Sequence, residues 1–390
     1  MDLRDEMMLQ KANKKMAKER KKEMKQQGGK KSPVRKIVLG VLIFLAAVLL
    51  VALVYVAYVF IAYYRIEDNK VLTVENNGNA TGNVETGREY TMVSYNIGFG
   101  AYSPDFSFFM DGGDDSRAKS KQSVINLTDG AYEQSMKYNP DFVLMQEVDT
   151  DADRSHHVNQ YERLKEAFKY ASSSFAQNYD SPYLFYPFLE PHGASESGLA
   201  IFSKYTMQSA LRRQLPVAKG FSKILDLDRC YSVNRFSVED GKELVVFHVH
   251  LSAYGSDASV REGQTKMLCE DMAKEVAAGN YVICGGDFNH DLKADEENTE
   301  DAVSWAYPFP RSKLPKGLTF AMDFLEEEER RALVNSTRNA DIPYDAKKSY
   351  TVLVDGFIIS DNIEMTEYYV DYTGYMYSDH EPVVMRFVLK

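Results

Sequence analysis

Cysteine is scarce in this chain: Cys230, Cys269 and Cys284 are the three among 390 residues. Three thiols close at most one bridge and leave one over, so a disulfide framework is excluded. No Cys-x-x-Cys occurs, which argues against a structural zinc site built on cysteines. Neither Gly-x-Ser-x-Gly nor a phosphate-binding P-loop is present, so a serine nucleophile on a strand-to-helix elbow and a nucleotide cradle both lack a basis. Lys and Arg form no stripe interleaved with aromatics of the kind that tracks a nucleic-acid strand. There is no internal repeat. Charge is missing altogether from one stretch, Ile37–Tyr64.

What is present bounds the answer further. With 44% apolar and 12% aromatic residues, most of the chain is not disordered, collagen-like or of low complexity. The length allows one large domain or two ordinary ones, each with a full core. The net charge of -11 comes from 46 Lys and Arg against 57 Asp and Glu. Residues 1–36 hold 13 of the basic and 5 of the acidic residues, leaving 33 and 52 for the remainder. The chain is therefore a basic tail (1–36) joined to a strongly acidic body.

Between them lie the 28 uncharged residues 37–64. A helix crossing the hydrocarbon core needs about 20 residues, so this run spans with some tilt. Tyr55, Tyr58, Tyr63 and Tyr64 gather toward its end, where rings favour the interface. A buried core helix rarely runs this long without charge. A cleaved signal peptide has a shorter apolar region and small residues at its end, whereas Arg65-Ile66-Glu67-Asp68 follows here. Lys30, Lys31, Arg35 and Lys36 abut the run on its N-terminal side, which by the positive-inside rule predicts a single-pass cell-membrane protein with a cytoplasmic N-terminus and an extracellular body. The tail itself is expected to be a solvated topogenic segment, with a charged helix along the inner leaflet as the alternative.

Residues 65–88 read as a linker, rich in Asn, Gly and Thr without an apolar period. From Glu89 onward, short apolar strands alternate with helical stretches. Strands are predicted at 90–97, 141–146, 199–202, 231–238, 243–251, 281–286, 351–359 and 382–389, and helices at 117–138, 159–168 and 258–278. Mixed elements over about 300 residues point to one α/β domain of layered sheets at 89–390.

Polar residues cluster where these strands end: Asn96 at the end of YTMVSYN, Glu147 after DFVLMQ, His248 and His250 in ELVVFHVHL, and Asp287 and Asn289 in YVICGGDFN. Asp355 sits inside the strand YTVLVDGFI, and Asp379 and His380 stand in SDHEPV. Singly, each is a turn former or a satisfied histidine. A carboxylate within an apolar strand is harder to dismiss, because an unpaired buried charge is costly. Together these acids, amides and imidazoles suit a hard divalent cation, with histidine left for proton transfer or phosphate binding.

In order and rough spacing, SYNI, QEV, GLAIFSK, HVHL, GGDFN and SDHEPV resemble the endonuclease/exonuclease/phosphatase (deoxyribonuclease-I-like) superfamily over about 89–390. The resemblance implies a four-layer αββα sandwich and hydrolysis of phosphoesters dependent on Mg2+, with Mn2+ as an alternative. It implies that Glu147 is the main metal ligand, with Asn96 and Asp379 near the metal. Asp287 would align or deprotonate the attacking water, and Asn289 would contact phosphoryl oxygens. His250 would be a phosphate ligand or general acid. His380 would be the second imidazole, oriented by Asp355. Glu196 is assigned to orient His250, and Arg117 and Lys119 are candidate substrate contacts. The segments 98–116 and 290–348 depart from the pattern as insertions.

The resulting expectation is a membrane-anchored metal-dependent phosphoesterase. The lipid bilayer is its partner through residues 37–64, and no obligate protein partner is evident. The anchor and the acidic body favour a lipid head group or small phosphoester over nucleic acid. The alternatives are an extracellular nuclease of the same family and a non-catalytic binding module that kept the fold.

Overall fold

The computed structural model describes residues 3–27, 33–62, 64–76, 80, 82–169, 171–217, 228–252, 258–294 and 305–390. The chain divides into two units, Met1–Ala62 and Tyr63–Lys390. The first holds α1 (Leu3–Gln27) and α2 (Pro33–Ala62). The tail is thus helical, and its described side chains are exposed. Ala, Met, Lys, Gln and Arg are good helix formers, and Asp5 and Glu6 at its start and Lys25 at its end complement the helix dipole. In α2 the span Val34–Ala62 contains an 18-residue window of mean hydropathy 3.4 that is unburied, and the span is long enough to cross a membrane or to serve as a signal sequence. The apolar helix starts at Pro33, a residue suited to the first turn, so Arg35 and Lys36 belong to it. Of the residues assigned to its far end, Tyr63 lies outside the described ones.

In the second unit two seven-stranded sheets face one another. One runs, in spatial order, β1 (Lys70–Val71), β7 (Met207–Gln214), β8 (Cys230–Ser237), β9 (Glu243–His250), β10 (Tyr281–Asp287), β14 (Asp355–Ser360) and β11 (Leu318–Phe320). The other runs β15 (Ile363–Val370), β16 (Val383–Leu389), β3 (Glu89–Asn96), β4 (Phe142–Ala152), β6 (Gly193–Ser203), β5 (Ser172–Leu184) and β2 (Val74–Asn76). A small pair, β12 (Thr337–Arg338) and β13 (Thr351–Val352), stands apart.

Alternation along the strands builds the layers. Tyr90, Met92, Phe142, Leu144 and Ile201 enter the core shared with Phe236, Phe247 and Phe357 of the facing sheet. Tyr95, Ile97, Val143, Met145 and Phe202 point the other way. They pack with Ala131 of α3 (Lys121–Met136) and with Tyr161 and Leu164 of α4 (Gln160–Ala167). Leu268 and Met272 of α5 (Ala258–Ala277) cover the first sheet. This is the expected four-layer αββα sandwich. The sheets approach closely at Gly285, where a Cβ would come within 2.6 Å of Phe357 and 2.8 Å of Leu144.

The stretch 65–88, expected as a linker, carries secondary structure among its described residues. Both β1 and β2 lie within it, each at a sheet edge, and Ile66 and Val84 are buried. Arg65 pairs with Asp228 at 3.0 Å, and Arg212 donates to the carbonyls of Ile66 and Glu67 at 3.0 and 3.1 Å. The segment is held through its backbone and charges, which leave no apolar period in the sequence. Strand β5 was missed for a similar reason. It begins Ser172-Ser173-Ser174, and Ser174 bonds Asn234 across the interior at 2.9 Å. The strand expected over 351–359 is split between β13 and β14.

Candidate active site

Each sheet contains one parallel pair at its centre, β3–β4 and β9–β10. Parallel strands end at the same edge, and ligands gather outside the carboxyl ends of such strands. In the first sheet the register sets Asp287 opposite His250 on one side and Asp355 on the other. One row across three strands therefore carries three of the expected residues. In the second sheet Asn96 pairs with Gln146, and Glu147 follows in a left-handed conformation (φ 55°) beside a register shift. That strained residue turns its carboxylate to the sheet end. Gly286 precedes Asp287 with φ 140°, and a Cβ there would lie 2.1 Å from the Val249 carbonyl oxygen, so only glycine fits the parallel neighbour.

Hydrogen bonds tie the two sheets' contributions together. Asn96 Nδ2 donates to Glu147 Oε1 at 3.3 Å and to Asp287 Oδ2 at 3.1 Å, while its Oδ1 accepts from Gly98 N–H. The amide therefore brackets two carboxylates, Glu147 and Asp287, beside the place expected for a metal. Asn289 N–H donates to Asp287 Oδ1 at 2.8 Å, and one Asn289 Nδ2 proton goes to the Leu251 carbonyl. His250 Nε2 lies 3.4 Å from Asp287 Oδ2.

The loop before β16 supplies the rest. His380 Nδ1 is 2.7 Å from Asp355 Oδ2, and its Nε2 is 3.9 Å from Asp287 Oδ2. Asp355 Oδ2 also accepts from Ser336 Oγ at 2.7 Å. Ser378 Oγ donates to the Asn96 carbonyl at 2.8 Å, pinning this loop to the end of β3. Glu381, fully buried, accepts from the Thr373 and Tyr375 N–H groups and from the Thr373 hydroxyl. It locks the turn that aims Asp379 and His380 inward. Sequence reasoning passed over it as a neighbour within SDHEPV.

Burial and mutual charge then separate the ionisation states. Burial raises Glu147, and Asp379 raises it further; Asp379 is raised by burial in turn. Burial and then Asp355 raise Asp287. Burial favours a neutral His380, but Asp355 overrides this and holds the ring well above its ordinary value. His250 is held well below it, by burial and then by the charges of Arg229 and His380. One imidazole is thus cationic and its neighbour neutral, the kind of divergence that marks acid–base work. His248 is different: it is fully buried between the sheets against Gln146, and burial pushes it down to about 3.

These groups line a cavity of about 370 Å³ with Tyr102, Phe108, Asp111, Trp305, Arg229 and Arg338. Both insertions contribute to its walls. The donor set suits a hard cation: Glu147 and Asp379 are half-buried oxygen donors whose mutual repulsion a cation relieves. Asp287, Asp355 and His380 also place ligand atoms within 4.8 Å of one another, although His380 and Asp355 already satisfy each other.

Three expected contacts lie elsewhere. Lys119 is exposed and pairs with Asp105, and Arg117 donates to the Pro191 carbonyl; neither lines the cavity. Glu196 is exposed on β6, opposite Asp151 and Asp180, and His250 Nδ1 has no hydrogen-bond partner, so Glu196 does not orient it. The cavity's arginines are Arg229, just before β8, and Arg338, whose guanidinium faces the carbonyls of Ser103, Phe106, Asn339 and Ile342. Neither stands in a motif, so no local signal identified them.

The profile of the Endonuclease/Exonuclease/phosphatase family matches residues 93–318. This chain belongs to that family. Its members are hydrolases acting on phosphoester bonds, typically dependent on divalent metal. The fold is shared with an endonuclease/exonuclease/phosphatase from Beutenbergia cavernae DSM 12333, at 18% identity and TM-score 0.53 over 77% of this chain and 72% of that one. The human Nocturnin catalytic domain with bound sulfate anion is 16% identical, with TM-score 0.50 over 82% of this chain and 98% of its own. ANGEL2, a 2',3'-cyclic phosphatase in complex with adenosine-2',3'-vanadate, is 14% identical, with TM-score 0.52 over 82% and 98%. No curated protein matches the chain in sequence.

Proposed function

We propose that this member of the endonuclease/exonuclease/phosphatase family is a membrane-anchored, Mg2+-dependent phosphoesterase acting on a lipid head group or small phosphoester. The observation that carries the reading is the row His250–Asp287–Asp355, with Asp287 bracketed by Asn96 and faced by His380. Glu147 and Asp379 would hold the cation, which supplies positive charge to a phosphoryl group. Asp287, fixed by Asn96 and by the Asn289 N–H, positions the attacking water and takes its proton. His380, kept cationic by Asp355, neutralises charge on the phosphoryl oxygens or protonates the leaving oxygen. His250 stays neutral and donates a hydrogen bond. Arg229 takes the substrate role first given to Arg117 and Lys119.

The +8 tail supports a cytoplasmic N-terminus and an outward body. Protease added to intact cells should digest the body, and full protection would reverse the orientation. The activity test uses the purified full chain in detergent with DNA, sphingomyelin, phosphatidylinositol phosphates and bis(p-nitrophenyl) phosphate, each with and without Mg2+. Cation-dependent turnover of a lipid or small ester supports the reading. Efficient DNA degradation near physiological salt would favour the nuclease alternative, and no turnover of any ester would favour a binding module.

A further inference from the structure

The β5–β6 hairpin ends in Leu184-Phe185-Tyr186-Pro187-Phe188-Leu189, and its apolar side chains face outward. Phe185 is 51% exposed, Tyr186 61%, Phe188 73% and Leu189 101%. Charged or polar residues normally occupy such a tip, and a contiguous apolar patch marks an interaction surface. The tip is built as a unit: Phe188 packs on Phe185 and Tyr186 with ring centroids 6.3 and 5.8 Å apart. It is also fixed to the catalytic cavity. Tyr186 meets Phe109 at 5.8 Å, and Ser116 Oγ donates to the Glu190 carbonyl at 2.6 Å. The segment between Phe109 and Ser116 continues the wall that gives Phe108, Met110 and Asp111 to the cavity, and Met110 is itself 66% exposed.

The same chain carries the apolar helix α2, whose span is long and apolar enough to cross a membrane. The tip's aromatic composition is that of a membrane–water interface. Its charged neighbours, Glu190 and Asp111 against Arg117 at the Pro191 carbonyl, leave no cationic surplus, which favours a zwitterionic over an anionic surface.

We propose that Phe185, Tyr186, Phe188 and Leu189 form a wedge that seats in the interfacial layer of the bilayer entered by α2, so that the cavity mouth meets lipid head groups and membrane phospholipid is the substrate class. The wedge rests on the anchored-phosphoesterase reading and deepens it. It acts by presenting substrate and takes no part in the chemical step.

The test uses the full chain in phosphatidylcholine vesicles. A Leu189→Cys variant carries an environment-sensitive fluorophore; Cys230, Cys269 and Cys284 are buried and do not compete for the label. The emission should shift to the blue and be quenched by nitroxide-bearing lipid, while a label at exposed Lys266→Cys should show neither change. A chain that floats with vesicles but keeps its Leu189 label in water overturns the wedge alone. A shift that lipid nitroxide does not quench means burial against another protein copy, and also overturns it. Failure to float overturns the anchor and the wedge together. In parallel, the variant Phe185→Ser/Tyr186→Ser/Phe188→Ser/Leu189→Ser should lose tenfold or more on vesicle-borne phosphodiester and retain turnover of soluble bis(p-nitrophenyl) phosphate. Equal rates for the variant and the unmodified chain on both substrates would sink the proposal. The fluorescence result stands whatever the catalytic outcome, so failure of the phosphoesterase reading is distinguishable from failure of the wedge.

Discussion

Two clusters of buried charge in the folded body obey the same desolvation physics and end in opposite states. Arg212 is fully buried, and its guanidinium donates to the carbonyls of Gln177, Ile66, Glu67 and Asp228 at 2.8 to 3.1 Å. At the strand ends, Asp355 Oδ1 and His250 Nδ1 are buried without a partner, and Glu147 and Asp379 repel one another. Burying an ion or polar group is costly unless hydrogen bonds compensate it. Where compensation is complete, the charge serves architecture and fastens the segment after α2 to the sheets. Where it is incomplete, the folded state retains unfavourable terms that a cation or a phosphoryl group would remove. Incomplete satisfaction combined with mutually repelling carboxylates and a neighbouring imidazole marks the site more sharply than the presence of acids does.

The comparison breaks most visibly if each cluster is damaged. His380→Ala and Asp287→Asn should each cut turnover of a generic phosphodiester by a factor of about 10²–10⁴, the usual worth of one acid–base group, with the melting temperature little changed. Asp355→Asn should act as a weaker His380 change, and the pair should be non-additive because both strike one unit. Arg212→Met should do the reverse. It leaves four buried carbonyls short of a donor and should cost roughly 3–5 kcal/mol in urea unfolding, with turnover of the protein still folded near normal. Loss of activity without loss of stability in Arg212→Met would erase the distinction.

Glu147→Gln sharpens the same contrast. It should abolish most Mg2+ affinity in a calorimetric titration, since it removes the ligand's charge and keeps its shape. In the metal-free protein it should stabilise. The folded Glu147 carboxyl is raised above its unfolded value, so its favourable contribution is present below the ordinary glutamate range and lost as pH rises through the raised value. The amide carries no such penalty. The melting-temperature advantage of Glu147→Gln without metal should therefore grow from pH 4 toward pH 8, and reverse with excess Mg2+. A difference that is flat with pH and unaffected by Mg2+ would show that the site is not strained by its own charge.

The sequence made the centre of this site legible because strand ends in parallel pairs are short-range signals. Asn96, Glu147, Asp287 and Asn289 each close an apolar run, and Asp379 and His380 open one. The inter-strand row of His250, Asp287 and Asp355 needed register, which no single run contains. Supporting residues were invisible for a different reason: Ser336 and Arg212 act on backbone groups distant in sequence and Glu381 on the turn before it, and polar residues facing backbone leave no periodicity. The edge strands β1 and β2 failed on the same ground. Length and absence of charge sufficed for the apolar helix, because both are one-dimensional properties of the sequence.

A smaller effect separates the two arginines of the cavity. Arg338 is committed to backbone carbonyls, so its loss should appear in stability. Arg229→Gln should instead raise KM about tenfold, or about 1.4 kcal/mol, with kcat less affected, and Arg229→Lys should recover part of that loss. Equal falls in kcat and kcat/KM would place Arg229 at the reacting centre.

The smallest expected effects test the residues that the fold moved out of the site. Lys119 is a surface cation paired with Asp105, and exposed pairs contribute about 0–1 kcal/mol. Glu196 faces solvent between Asp151 and Asp180, where burial and those two carboxylates raise it. Neither touches the cavity, so Lys119→Gln and Glu196→Gln should each leave KM and kcat within about twofold of the unmodified chain, and Glu196→Gln should slightly stabilise by removing a like charge. The bell-shaped pH dependence of kcat/KM is the stricter readout for Glu196. A carboxylate behind His250 would hold that imidazole's pKa up, and its removal would move one limb of the curve, whereas a surface carboxylate in an acidic group leaves both limbs in place. A displaced limb with unchanged stability would return Glu196 to the position behind His250, and would mean that the β5–β6 edge rearranges when substrate binds.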